Sequence, residues 1–113
     1  MSARAAIILG SAAIAVWSPA GAASVAHGRA IAATNCAACH SIERSGASPD
    51  PKAPPFRTLG QSYPVEDLDE SLAEGIVTGA HEMPQFQFEP ADIDDLIAFL
   101  KTLQRGRPAE PRR

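Results

Sequence analysis

The sequence contains few of the large side chains that usually build the core of a small protein. Only 5% of its 113 residues are aromatic: one tryptophan, one tyrosine and four phenylalanines. The tryptophan, Trp17, lies in an apolar N-terminal stretch, and the remaining aromatic residues are Phe56, Tyr63, Phe86, Phe88 and Phe99. Because an ordinary core is marginal at this size, the composition favours a bound apolar group that completes it.

Lysine is also scarce, since Lys52 and Lys101 are the only two. The chain has ten basic and thirteen acidic residues, a net charge of −3, which becomes −4 when the N-terminal stretch with Arg4 is left out. An acidic chain of this kind is a poor ligand for nucleic acid. A protein partner is expected to present a basic docking surface, because opposite charge speeds encounter.

The N-terminal stretch has the pattern of a secretory signal peptide. A short basic start ending at Arg4 precedes an apolar run from Ala5 to Trp17, and the small-residue segment that follows offers a cleavage signal, best as Ala20-x-Ala22. The run is shorter than the about 20 residues of a membrane span, so we expect export to the periplasm with no stable span. An uncleaved anchor is the alternative. The expected boundaries are 1–23 for the signal peptide, 24–105 for one domain and 106–113 for a flexible tail.

Cysteine occurs only twice, as Cys36 and Cys39, and His40 follows directly. This spacing is the attachment motif of a c-type haem. In a helical segment, positions i, i+3 and i+4 share one face. Both thiols can then reach the vinyl groups of one macrocycle while the imidazole reaches its iron.

The cysteine pair allows three other interpretations. A structural zinc site needs two more ligands, usually closely spaced, and the three histidines, His27, His40 and His81, offer no such pair. A thioredoxin-like redox pair needs strands that alternate with helices, and no such pattern surrounds the motif. A short disulfide remains open from the motif alone.

The remaining pattern predicts helices separated by long irregular stretches. A first helix is expected from Val25 to His40, with Ser24 as its cap and Gly28 inside it. Prolines and glycines predict a loop over 41–61, and a second helix is expected from Pro64 to about Gly79. The last helix should begin at Pro90, with an apolar stripe formed by Ile93, Leu96, Ile97, Leu100 and Leu103.

Met83 is the candidate for the second axial position of the iron. It is the only methionine apart from Met1, and Pro84 should hold it in an extended segment. His81, two residues earlier, is its rival. His27 is expected to have no chemical role.

These features together resemble the small soluble class I c-type cytochromes. The haem motif, Gly28 eight residues before it, and the segment from Leu96 to Lys101 match that family, whose C-terminal aromatic, here Phe99, packs on the glycine. The resemblance implies an all-α cytochrome c fold, with three to four helices and long loops around one covalently bound haem. It places Met83 at the axial methionine.

The resemblance also implies contacts around the haem. A loop proline carbonyl should accept a hydrogen bond from His40; by position this is Pro55, with Pro54 as the alternative. Without a tryptophan to meet a propionate, Tyr63 is the candidate, followed by Arg57 and Gln61.

The expected function is that of a periplasmic, monomeric, monohaem electron carrier. With His40 and Met83 both bound to iron, no substrate has an open site, so the chain is not expected to be an enzyme. One alternative is a tightly bound electron-accepting subunit of a periplasmic dehydrogenase. The other is a haem sensor or peroxidase with an open sixth position.

Overall fold

The computed structural model describes residues 10–15, 22–75 and 83–105. Within these ranges the chain forms three α-helices and no strand: α1 at Val25–Asn35, α2 at Leu68–Glu74 and α3 at Pro90–Leu103. Two 3₁₀ segments, Phe56–Gln61 and Val65–Asp67, precede α2. The predicted all-α class is therefore confirmed. The predicted tail over 106–113 and most of the predicted leader lie outside the described residues, and the domain boundaries stay predictions.

Helix α1 begins as its cap predicts and ends earlier than expected. The Ser24 Oγ accepts the His27 N–H at 3.1 Å, which satisfies one of the free amides of the first turn. The helix stops at Asn35, whereas we predicted that it would continue to His40. Near its end, the N–H groups of Cys36 and Ala37 both donate to the Ala32 carbonyl, at 2.9 and 3.0 Å. This shared acceptor breaks the helical repeat, and a separate turn carries the cysteines.

The central packing contact is the crossing of α1 and α3 at Gly28. A Cβ atom on this glycine would lie 1.9 Å from the Asp95 carbonyl oxygen and 2.9 Å from the Phe99 Cβ. The backbones can approach this closely only because Gly28 has no side chain. The predicted contact between Gly28 and Phe99 is confirmed.

Helix α3 supplies most of the core. Pro90 occupies its first turn, where the missing N–H costs nothing. Of the predicted stripe, Ile97 is half-buried and the other four residues are buried, and Phe99 joins them with 3% of its surface exposed. The remaining buried apolar side chains come from α1, the loop and the α2 region: Ile31, Ala32, Ile42, Phe56, Val65 and Leu72.

The α2 region runs antiparallel to α3. Near its start, Glu66 pairs with Lys101 at 3.3 Å, and near its end the Leu72 carbonyl accepts the Phe88 N–H at 3.4 Å. The prediction that this helix reaches about Gly79 is wrong, because α2 ends at Glu74. Gly75 follows with φ at +92°, a left-handed conformation that stops a helix and that glycine adopts without strain.

None of the helices in the described ranges is both long and apolar enough to cross a membrane.

Candidate functional site

The motif from Cys36 to His40 forms one turn directly after α1. The His40 N–H donates to the Cys36 carbonyl at 2.9 Å, which is the spacing of a helical turn. Cys36, Cys39 and His40 are all half-buried. The i, i+3 and i+4 relation required by the motif is therefore kept in this turn, although α1 has already ended.

The two cysteines are free thiols, and burial raises the pKa of Cys36 to about 11. Cys36 is thus protonated at neutral pH. A thioredoxin-like pair requires a cysteine with a lowered pKa, so this environment argues against that interpretation. The group that could hold a metal ion in the described part of the chain is His27, Asp92 and Asp95, which contains no cysteine. The structure therefore offers no support for a zinc site at the motif.

His40 is oriented by a proline carbonyl. Its Nδ1 lies 2.8 Å from the Pro54 carbonyl oxygen, and its ring centroid lies 5.0 Å from that of Phe56. Because a carbonyl can only accept, Nδ1 must carry the proton, and Nε2 keeps its lone pair for a metal.

The expected acceptor, Pro55, was the wrong proline. Its carbonyl instead accepts the Thr58 N–H at 3.0 Å and the Thr58 Oγ1–H at 2.8 Å. The reason is local: Pro55 caps the 3₁₀ segment Phe56–Gln61, so its carbonyl takes the first i to i+3 bond. The carbonyl of Pro54, the alternative, lies just outside that segment and is available to His40. The 3₁₀ segment itself was not predicted, since most of 41–61 was expected to lack regular structure.

Polar contacts close the loop between His40 and Pro54. The Ser41 carbonyl accepts the Phe56 N–H at 2.9 Å, and the Ser41 N–H donates to the Ser48 Oγ at 3.0 Å. Arg57 donates to the Gly46 carbonyl at 2.7 Å. No sequence pattern predicts these partners, because they depend on how the loop folds back on itself.

Met83 is half-buried in the segment that leads into α3. This segment is fixed downstream, where the Phe86 and Phe88 rings stack with centroids 5.7 Å apart and the Phe88 N–H bonds to α2. The role of Met83 as an iron ligand stays a prediction. Its rival, His81, lies outside the described residues.

Tyr63 has 39% of its surface exposed, and its N–H donates to the Leu59 carbonyl at 3.4 Å. Its proposed contact with a propionate stays a prediction. Arg57, the next candidate, already donates to the loop, and Gln61 is exposed.

The donor set fits an iron porphyrin. Two free thiols three residues apart can form thioethers, and the adjacent imidazole has its Nδ1 bonded and its Nε2 available. A structural zinc site would need more thiols or histidines than the turn provides.

Comparison with known proteins gives one match. The family model described as Cytochrome c matches residues 25–104, which covers all three helices and the loop. A search of curated proteins and a search of solved structures found no match.

Proposed function

The chain belongs to the cytochrome c family, whose members bind a covalently attached haem and transfer electrons, and we propose that it is a periplasmic one-electron carrier with iron held between His40 and Met83. The observation that carries this proposal is the hydrogen bond between His40 and Pro54. It places a proton on Nδ1 and orients the ring, which leaves Nε2 as the nitrogen that can bind iron as an axial ligand. When bound, the haem supplies an iron that gains and loses one electron.

The cysteines and His40 would act as one attachment unit. Cys36 and Cys39 would hold the haem through thioethers, and the turn that joins them to His40 would present the imidazole to the iron. The Pro54 carbonyl accepts a hydrogen bond from the His40 Nδ1–H, and this bond makes the imidazole a stronger electron donor to iron. These residues would therefore orient the haem and tune the electron density at its iron.

Met83 supports the carrier role over that of an enzyme. A methionine sulfur favours the ferrous state and fills the position that a small substrate would otherwise take. The stacked Phe86 and Phe88 hold the segment that carries it against α2. A sulfur ligand from Met83 would leave no open site on the iron for a sensor or peroxidase.

Export through residues 1–23 is part of the same proposal. Thioether formation needs free thiols at Cys36 and Cys39, and covalent attachment of haem takes place in an extracytoplasmic compartment. The basic start, apolar run and small-residue segment of 1–23 supply a route to it.

The partner is proposed to present a basic surface, because the acidic charge is concentrated in one region. Ten of the thirteen acidic residues lie between Glu66 and Asp95, and the sequence has no lysine or arginine between Arg57 and Lys101. Exposed members include Asp69 and Glu70 on α2 and Asp94 on α3. Transfer rates with the natural partner should fall as salt rises, since screening weakens attraction between opposite charges. Faster transfer at high salt would contradict this.

Visible spectroscopy of the exported, haem-loaded protein tests the iron ligands. The oxidised protein should show the weak long-wavelength sulfur-to-iron charge-transfer band of methionine ligation, and the reduced protein should not bind carbon monoxide. Met83→Ala should abolish the band, lower the potential and admit carbon monoxide. Since His81 could replace the missing sulfur, Met83→Ala/His81→Ala is the cleaner variant.

Two results would overturn the assignment. If the band is absent from the wild type or survives in Met83→Ala, Met83 is not the ligand. Ready binding of carbon monoxide by the wild type would favour the sensor or peroxidase. Purification of the chain in a stable complex with a dehydrogenase would instead identify it as that enzyme's subunit.

A further inference from the structure

We infer that Arg57 is a positioning residue that sets the hydrogen bond between His40 and Pro54, and through it the reduction potential of the haem. The inference rests on the proposed function. It comes from the bridge that the Arg57 side chain makes across the loop that separates these two residues.

The two ends of this loop are joined by a pair of adjacent bonds. His40 Nδ1 lies 2.8 Å from the Pro54 carbonyl oxygen, and the Phe56 N–H donates to the Ser41 carbonyl at 2.9 Å. Since His40 and Ser41 are consecutive and Pro54 and Phe56 are nearly so, both bonds connect the same two short segments. Any shift of Ser41 relative to Phe56 therefore changes the distance between His40 and Pro54.

Arg57 connects these segments to the middle of the loop. Its Nη1 donates to the Gly46 carbonyl at 2.7 Å and lies 3.5 Å from the Ser41 Oγ. Gly46 turns the chain with φ at +93°, and Ser41 has 8% of its surface exposed. The guanidinium thus ties the turn of the loop to the buried residue next to His40, from a position directly after Phe56.

Ser48 supports the same residue from within the loop. Its Oγ accepts the Ser41 N–H at 3.0 Å. The N–H of Ser41 consequently contacts Ser48 in the middle of the loop, while its carbonyl and hydroxyl contact the consecutive residues Phe56 and Arg57. This leaves Ser41 little freedom to move and defines the position from which His40 reaches Pro54.

The direction of the change in reduction potential distinguishes two roles of Arg57: positioning of the hydrogen bond between His40 and Pro54, and a direct effect of its positive charge. A hydrogen bond from Nδ1 makes the imidazole a stronger donor and stabilises ferric iron, so a weaker bond should raise the potential. Loss of a nearby positive charge has the opposite effect, because a cation favours the reduced state. A variant that keeps the charge and loses the bridge therefore isolates positioning.

Arg57→Lys in the haem-loaded protein is that variant. Lysine keeps the charge, but its shorter side chain ends in a compact ammonium in place of the guanidinium, whose Nη1 contacts both Gly46 and Ser41. We expect a higher reduction potential by voltammetry and faster solvent exchange of the His40 Nδ1 proton by NMR. Ser48→Ala, which changes no charge, should shift both quantities in the same direction by a smaller amount.

Arg44→Lys is the matched control, because Arg44 lies on the same loop and donates to the Thr102 carbonyl at 3.0 Å. It should leave both quantities unchanged. The positioning role is overturned if Arg57→Lys leaves the potential and the exchange rate as in the wild type, or if Arg44→Lys raises the potential equally. Failure of the proposed function is a separate outcome, seen in the wild type as missing covalent haem or a missing methionine band.

Discussion

The crossing of α1 and α3 and the loop from Ser41 to Pro55 are held in place by opposite means. At the crossing, Gly28 brings one backbone against another with no space left between them. The loop is held by hydrogen bonds between side chains and its backbone. The Ser48 Oγ accepts the Ser41 N–H, and Arg57, two residues after the loop, donates to the Gly46 carbonyl. A packed contact tolerates almost no added volume, whereas a hydrogen-bonded loop can shift slightly and change the electronic properties of His40. The first region should therefore control stability and the second the potential.

The largest effect is expected from Gly28→Ala. The added Cβ would lie 1.9 Å from a backbone oxygen of Asp95, which cannot rotate away, so α1 and α3 must separate. Overpacking of this kind costs about 3 kcal/mol or more, at the upper end of its usual range. Urea unfolding of the haem-loaded protein measures the loss.

Ala33→Leu is the control for this substitution, because Ala33 is exposed on the same helix. It adds more volume and should change the unfolding free energy by less than about 0.5 kcal/mol. Equal stability of Gly28→Ala and the wild type would show that the helices do not cross as described.

A second effect on stability is expected at Gln104, which links the end of α3 to the 3₁₀ segment Phe56–Gln61. Its Nε2 donates to the Phe56 and Leu100 carbonyls, both at 2.9 Å, and its Oε1 accepts the Gly60 N–H at 2.8 Å. Gln104→Ala leaves these groups without their partner, and we expect a loss of about 1–3 kcal/mol in unfolding free energy. Gln61→Ala, an exposed glutamine in the 3₁₀ segment, should be neutral. A neutral Gln104→Ala would mean that the 3₁₀ segment is held by packing alone.

The crossing of α1 and α3 could be predicted from the sequence better than the loop could. The start of α1 at its Ser24 cap, the start of α3 at Pro90 and the contact between Gly28 and Phe99 all follow from local signals: a cap, a proline, an apolar period and a glycine. Such signals depend on neighbours within a few residues, so they can be recognised before the fold is known.

The loop could not be predicted in the same way. The choice between Pro54 and Pro55 depended on the 3₁₀ segment that occupies the Pro55 carbonyl, and its sequence has no strong helical period. Gln104 and Phe56 are 48 positions apart, and nothing in either residue type indicates the other. The end of α2 was misjudged because Leu68, Leu72 and Ile76 continue the apolar period past Gly75, whose backbone conformation ends the helix.

A smaller, pH-dependent effect on stability is expected at Asp95, which lies at the edge of the crossing between α1 and α3. Asp95 accepts the Ser24 N–H at 2.6 Å and the His27 Nδ1–H at 2.7 Å, and these bonds lower the pKa of its carboxyl. A carboxyl whose pKa is lowered in the folded protein stabilises the fold at pH values above its ordinary pKa. This stabilisation is lost as the pH falls through the lowered pKa.

The measurement is the urea midpoint from about pH 6 down to about pH 3. The wild type should lose stability more steeply than Asp95→Asn, which keeps an acceptor for Ser24 and does not titrate. Asp94→Asn, exposed on the same helix, should follow the wild-type curve. Identical curves for wild type and Asp95→Asn would show that the carboxylate is not a source of the acid sensitivity.

The smallest effect is expected at the ion pair between Arg29 on α1 and Glu43 in the loop. Arg29 Nη2 lies 2.5 Å from Glu43 Oε1, and this contact lowers the pKa of Glu43. Their side chains are 50% and 57% exposed, so water and salt screen the attraction and the side-chain entropy of two long groups opposes it. Glu43→Gln should therefore leave the urea midpoint at neutral pH almost unchanged, and any difference should vanish in high salt.

A clear, salt-resistant loss of stability would mean that this contact does more than a surface ion pair, for example by keeping Arg29 over the Phe99 ring, 5.9 Å from its centroid. In that case the loop would contribute to the stability of the crossing, and the division between the two regions would fail at this point.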